Sequence, residues 1–535
     1  MNRAREWLFE RFRLRVPDHR SVGQAGGRGG GRGDGRGGGR GDGRIRGRSR
    51  ARFALAANGL VTAGRKTAAW AAKRPGWCLA ASIGLHALAV SVSSAAPADL
   101  RVYFDASPRV LSGGLYDYRL HIGPPIPVLP FTYPPFAALA FLPLSRLPWP
   151  AAVWLWQAVS VAALFAICLC ALRLLGPAAS GTSAASSAAS SSASTPDAPR
   201  APDPPGTYTT FGVPVTPDAP GGAVPRGTSR SASSAPALSR APSPTLSRAM
   251  LWTAAGLWLE PVRHTLDQGQ VNLLLGAVVL GALAALRTAA GRGAAVGLAA
   301  AVKLTPAFGG LYFLATRQWR AAVWAMAAAV AATAAAWRIA PRESAEYWTT
   351  LVSDTRRIGP LWSVRNQSLR GALSRFLGHD AAGSLVWWPV LALVTALAAY
   401  ALLRAARRRD FLGILITAEL YGLLLSPISW SHHWIWCLPA MIWLVHGAGR
   451  HRPFSRVVLA AWLLASATRL VPLLIRWEDG LHARPYPGAM AWPGAAYAVC
   501  ALLSLVAVST SPAPVADPGR DRPARPPETA YGTAT

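Results

Sequence analysis

SLVWWPVLALVTALAAYALLRAARRR, residues 384–409, is an apolar run that stops against a block of four arginines. At 1.5 Å rise per residue, ~20 apolar residues in a helix cross the ~30 Å hydrocarbon core of a bilayer. The basic block at the end of the run belongs on the cytoplasmic side, because Lys and Arg are held back from translocation. Working outward, apolar runs of similar character recur near 76–96, 150–175, 247–260, 269–288, 291–303, 304–316, 319–340, 411–428, 431–448, 455–476 and 489–509. The chain therefore reads as an all-α polytopic membrane protein with about 10–12 transmembrane helices.

Composition agrees. Of 535 residues, 52% are hydrophobic and only 15% charged, too apolar for a soluble chain of this length. The formal charge of +31 sits largely in short blocks beside apolar segments, so it sets topology and gives no reason to expect a nucleic-acid partner. Cys78, Cys168, Cys170, Cys437 and Cys500 all fall in apolar stretches without metal-ligand spacing, and read as small buried hydrophobes.

Three segments cannot build a core. Residues 1–74 run through GRGGGRGDGRGGGRGDGR, where glycine maximises the entropy of ordering and spaced arginines repel, so a disordered cytoplasmic tail is expected. Residues 177–246 are a Ser/Ala/Pro/Thr tract without helical period, and 511–535 are a Pro-rich tail; both are expected to be disordered. Between them lie 75–176, with the first span, an outer loop and a second span, and 247–510, with the remaining spans and an outer loop at 341–382.

Starting inside, the basic groups Arg173, Arg287 with Arg292, Arg317 with Arg320, Arg404–Arg409 and Arg450–Arg456 all come out cytoplasmic, provided Tyr133–Pro148 lies flat at the interface. The run 291–316 is interrupted at Pro306 and predicts a broken helix lining a cavity. Five polar stretches then fall at the opposite face: 97–132, EPVRHTLDQGQVN at 260–272, KLTP at 303–306, 341–382 and SPISWSHHW at 426–434. A charged side chain at bilayer depth costs ~2.5–3.5 kcal/mol on insertion scales, so these groups should face one another or water.

Asp105 after the first span, FTYPPF at 131–136, EPVRHTLDQGQVNLLLGA at 260–277, KLTP, NQSL at 366–369 and SPISWSHHW, in this order, resemble glycosyltransferase family 87. The resemblance covers about 98–176 and 247–510. It implies a GT-C fold with extracytoplasmic loops forming the active site. It also implies an enzyme of the polyprenol-phosphate-mannose-dependent α-1,2-mannosyltransferase kind, best known from actinobacteria. Such an enzyme sits multi-pass in the plasma membrane and moves a hexose, in this family mannose, from a polyprenyl-phosphate donor to a glycolipid or glycan acceptor of the cell envelope, with inversion. No cofactor is implied. The chain holds no Asp-x-Asp pair to clamp a metal against a diphosphate, so no metal is expected. The abundance of Ala, Arg, Gly and Pro with few Lys fits a GC-rich bacterium.

The reaction needs a base for the acceptor hydroxyl and cations for the departing phosphate. The resemblance points to Asp105 as the acid residue of the first outer loop, with His432 or His433 as second candidates; capping of a short helix is the alternative for Asp105. Asp99 and Asp117 read as cap or interface residues. Tyr133, Arg263, His264, Asp267 and Gln270 are expected to line the site, Lys303 to meet the donor phosphate, and Arg356, Arg365 and Asn366 to offer donors to phosphate or sugar hydroxyls. A transporter or lipid-linked sugar flippase would also use broken helices and buried charge. It would show paired halves with matching breaks, and no internal repeat is visible here.

Overall fold

The computed structural model describes residues 66–67, 69–93, 96–122, 128–176, 242–478 and 488–512. The disorder expected for 1–74, 177–246 and 511–535 falls, apart from a few residues at their edges, outside the described residues. At one edge the helix Pro244–Gly256 starts three residues earlier than the apolar run suggests. Ser243 caps it by accepting from Leu246 N at 3.3 Å, and Pro244 opens the first turn, where its missing N–H costs nothing.

Among the described residues five helices are long and apolar enough to cross a membrane: Pro75–Val92, Trp149–Leu174, Trp319–Ile339, Trp387–Arg407 and the segment Gly488–Thr510. Two bent pairs, Glu260–Gln268 with Asn272–Ala285 (118°) and Pro453–Ala467 with Leu470–Glu478 (50°), raise the count to seven if each is one span. The other expected spans resolve into shorter pieces, among them Ala289–Val302, Phe411–Leu425 and Cys437–His446. The break at Pro306 is as anticipated: helix stops at Val302, Lys303 is extended, and a 3₁₀ turn, Thr305–Gly309, leads into Gly310–Ala315. Tyr133–Pro148 holds only the helix Pro135–Phe141 and the 3₁₀ turn Leu142–Arg146. Seven α-helical residues at 1.5 Å and five 3₁₀ residues at ~2.0 Å reach only about 20 Å and cannot cross.

Small residues bring two of these helices into backbone contact. Gly293 and Gly297, four apart on Ala289–Val302, face Trp319–Ile339; a Cβ on either would run into the carbonyl oxygen of Ala321 or Ala325. In lipid, association rests on van der Waals approach of this kind, since burial from water offers little.

Two of the basic groups expected inside, Arg404–Arg409 and Arg450–Arg456, meet at the end of one helix. Arg408 donates to the carbonyls of Val508 (2.9 Å) and Ser509 (3.0 Å), and Arg452 to that of Thr510, so basic side chains close the C-terminal end of Ala496–Thr510. Arg292 likewise reaches Gln318 Oε1 at 3.1 Å, tying two of the basic turns together.

The segments expected outside are fastened to one another. A short antiparallel pair joins Arg119–His121 to Val128–Pro130. The Tyr116 hydroxyl donates to Tyr133 O (2.8 Å), and Arg357 donates to the carbonyls of Phe131 (3.2 Å) and Thr132 (3.3 Å), fastening FTYPPF beneath the 341–382 segment. The helix Ala98–Ala106 buries Leu100, Val102, Tyr103 and Ala106, with Tyr103 stacked on Phe141 at 4.4 Å.

Candidate active site

Gly269 sets the geometry of the site. It ends the helix Glu260–Gln268 in the left-handed region (φ +68°), and a Cβ there would also strike Leu100 and crowd Pro97. Glycine thus serves twice, making the 118° bend and letting the short helix Ala98–Ala106 settle directly on it. Gln270, delivered just past the bend, is buried, and its Oε1 accepts from the hydroxyls of Tyr103 and Tyr133, both at 2.9 Å. Its amide lies close enough to Asp99 to favour the ionised carboxyl. Burial raises the Asp99 carboxyl above the usual carboxylate range, opposed by that amide and by the charges of His264 and Lys303.

Asn272 carries the network on. Its Nδ2 donates to His432 O (3.0 Å) and its Oδ1 accepts from Lys303 Nζ (2.7 Å), so one amide joins the bend, the broken helix and the SHHW turn. Thr265 Oγ1 holds the same His432 carbonyl at 2.8 Å. The Lys303 ammonium stands 5.4 Å from the Tyr133 ring centre, within cation–π range. His264 shares a 2.8 Å hydrogen bond with Ser431 and lies 3.4 Å from Glu260, whose other oxygen accepts from Tyr497. The rings of His264 and His432 meet edge to face at 5.0 Å, and those of His432 and His433 at 4.6 Å. Among the described residues neither ring nitrogen of the buried His432 has a hydrogen-bond partner, nor has His433 Nδ1. A carboxyl group, an ammonium and three imidazoles therefore converge under Tyr103 and Tyr133.

Asp105 stands elsewhere. It accepts from Arg101 Nε at 2.7 Å and from the Tyr118 hydroxyl at 3.0 Å, and it caps nothing, since the next helix, Arg109–Ser112, has Pro108 at its N-cap. The reason is helical periodicity. Asp99 shares a face with Tyr103 and Ala106 at i+4 and i+7, whereas Asp105, at i+6, points about 120° away around the helix. Asp99 is not a cap either, Pro97 holding that position. The sequence alone assigned Asp99 a cap or interface role and did not single out Asn272. The i, i+4, i+7 spacing of Asp99, Tyr103 and Ala106 was the available signal for the first.

Four further expectations change. Arg263 and Asp267 pair with each other at 2.8 Å, and Arg263 also meets His86 at 3.0 Å, so they bind the bend to the first helix and leave the cluster to His264. Arg356 is 95% exposed, 4.0 Å from Asp354. Asn366 is fully buried, and both ends of its amide are spent. It donates to Leu361 O (2.9 Å) and Pro427 O (3.0 Å) and accepts from the N–H groups of Ser368 (3.1 Å) and Ser429 (2.9 Å), which clamps the turn leading to the histidines. Arg365 is half-buried beside it on the same segment.

The family model for glycosyltransferase family 87 matches residues 131–197 and 226–427. A mycobacterial relative, the polyprenol-phosphate-mannose-dependent alpha-(1-2)-phosphatidylinositol pentamannoside mannosyltransferase of Mycobacterium tuberculosis, is 35% identical over 419 residues, 77% of this chain and 81% of its own length. The chain belongs to glycosyltransferase family 87. The family-87 enzyme of the same description from Mycolicibacterium smegmatis is 35% identical over 416 residues, 76% of this chain and 83% of its own length. A phosphatidylinositol mannoside mannosyltransferase of M. tuberculosis is 37% identical over 233 residues, 42% of this chain and 53% of its own length. No solved structure gives a significant match. The family-87 match contains Tyr133, Gln270, Asn272 and Lys303, while Asp99 and the two adjacent histidines flank it. Membership in a glycosyltransferase family, with no transport function among these relatives, disfavours the flippase reading.

Proposed function

We infer that this multi-pass membrane protein transfers mannose from a polyprenyl-phosphate donor to a phosphatidylinositol mannoside glycolipid at the outer face of the plasma membrane. The observation that carries the reading is the convergence of Asp99, Lys303 and the three histidines beneath Tyr103 and Tyr133. Two of the relatives above, each more than four-fifths spanned by this chain, are named for that donor and for a phosphatidylinositol pentamannoside acceptor.

The chemistry follows from the residue types. The acceptor hydroxyl oxygen attacks the anomeric carbon, its proton passes to the Asp99 carboxylate, and the bond from carbon to phosphate oxygen breaks on the opposite side of the ring, giving inversion. Polyprenyl phosphate leaves with one more negative charge. Lys303 and the imidazoles offer the charge and N–H groups to hold it, and such charge-assisted bonds are worth about 1.5–3 kcal/mol each. The raised Asp99 carboxyl is a stronger base than an ordinary one, and the Gln270 amide keeps it oriented. Its place at the outer helix, away from the arginine-closed inner end, fits a lipid-phosphate donor met from the outer leaflet.

The test is reconstitution of the purified chain in lipid nanodiscs with polyprenyl-phosphate mannose and phosphatidylinositol mannosides. A glycolipid heavier by one hexose, with release of polyprenyl phosphate, is expected. Absence of transfer from any polyprenyl-phosphate sugar to any extracted membrane lipid would overturn the reading.

A further inference from the structure

The helix Phe411–Leu425, FLGILITAELYGLLL, carries one carboxyl group, Glu419, which is 3% exposed; its other polar side chains, Thr417 and Tyr421, have hydrogen-bond partners at Gly413 O and Thr395 Oγ1. Among the described residues the buried Oε1 of Glu419 has no hydrogen-bond partner and the carboxyl makes no ion pair. Burial of such a group without a partner costs several kcal/mol, so a fold that keeps one calls for an account of what it meets.

A small cavity supplies it. Glu419 shares a pocket with His433, Asn272 and Thr305, lined otherwise by apolar side chains, with ≈ 20 Å³ open to the centre of a water-sized sphere. One water needs ~10–15 Å³ on that measure and two to four polar partners. His433 Nδ1 is the second buried, unbonded atom at this cavity, and the half-buried Thr305 brings a hydroxyl from the broken-helix element. A single water would satisfy Glu419 Oε1 and His433 Nδ1 together. The rest of the His433 ring lies against His432, in the field of Lys303 and His264.

We propose that Glu419, through one water, positions His433, and that the Glu419–water–His433 chain holds one proton which passes to the imidazole when an anionic phosphate is beside it. Glu419 Oε1–H gives its proton to the water, and the water passes one of its own to His433 Nδ1. The ring then carries a proton on each nitrogen and one positive charge, and Glu419 is left as carboxylate. The pair is neutral overall before and after, which is what a bilayer interior tolerates. The charged or titratable groups facing His433 are Lys303, His264 and His432; none among the described residues pairs with Glu419. Glu419 is thus a positioning residue for the transfer inferred above and rests on that reading.

The experiment compares native protein with Glu419→Gln and Glu419→Leu in nanodiscs, using polyprenyl-phosphate mannose and following kcat, KM and the pH profile of kcat. The native assay comes first, and if native protein transfers nothing it is the transferase reading that fails, independently of Glu419. Glu419→Gln keeps the shape but has no carboxyl proton to pass on. Its kcat should fall about 10–100-fold with KM within about threefold, and its high-pH limb should move to lower pH, because His433 then takes its proton only from solvent. Native kcat and pH profile in Glu419→Gln, or a loss of kcat with the limb unmoved, would overturn the proposal. Should that variant not fold, the native protein answers by infrared difference spectroscopy. Adding polyprenyl phosphate should bleach a carboxylic-acid C=O band, and an unchanged band overturns the idea.

Discussion

Replacing Asp99 by Asn tests the site most directly when set beside the same change at Asp105. The amide keeps the size of the side chain and can still face Gln270, but it cannot take a proton from the acceptor hydroxyl. General-base catalysis is worth 10²–10⁴-fold, so Asp99→Asn should lose about 2.7–5.4 kcal/mol of transition-state stabilisation, read as a fall in kcat with KM little changed. At Asp105 the quantity at stake is the ion pair with Arg101, 2.7 Å long between side chains 25% and 38% exposed. Solvent screening leaves such a pair about 0.2–1 kcal/mol, and that in stability more than in rate, so Asp105→Asn should keep turnover within about fivefold of native. The assay is initial-rate transfer of mannose from a short-chain polyprenyl-phosphate donor in nanodiscs, with product identified by mass. The native pH profile adds a second reading. Because the base must be unprotonated and burial raises the Asp99 carboxyl, kcat/KM should fall as pH drops through a value above the ordinary carboxylate ~3.9. Should Asp105→Asn be silent while Asp99→Asn turns over within tenfold of native, the argument from helical faces is refuted.

Lys303→Met should raise KM for the donor and cut kcat/KM about 10–100-fold, since one charge-assisted contact to phosphate and the 2.7 Å bond to Asn272 go together; unchanged donor affinity in a titration would place the phosphate elsewhere. Gly297→Val drives a side chain into the carbonyl of Ala325 and should abolish monodisperse protein in detergent, as followed by size-exclusion chromatography, whereas Gly281→Val, with open space around it, should not. Asn366→Ala leaves two buried N–H groups and two carbonyls without their shared partner, so the thermal midpoint should drop by several degrees while KM of the surviving folded protein stays native; a raised KM would return Asn366 to the substrate. In a background free of native cysteines, Ser112→Cys should react with a membrane-impermeant thiol reagent in intact cells and Arg407→Cys should not, and the reverse pattern would invert the topology.

The sequence by itself determined what depends on short-range pattern and solvent. Apolar runs of bilayer length, arginines at their ends and Pro306 within 291–316 follow from transfer energy and backbone sterics; the break and the basic helix ends have their counterparts in the structure, and five of the runs, or seven with the bent pairs, are spans among the described residues. It also showed which polar stretches end up together, because charge buried beside lipid has to find a partner. Distances between residues far apart in the chain were not legible. Asn272 meeting both Lys303 and His432, and Glu419 sharing a cavity with His433, depend on how a 118° bend, a broken helix and a 3₁₀ turn come to rest against each other. Only the tertiary structure decided between Asp99 and Asp105. Both acids lie on one short helix of nine residues, and which face of it is turned inward is fixed by Tyr103 packing on Phe141 and by the glycine at 269, contacts made across the fold and not along the helix.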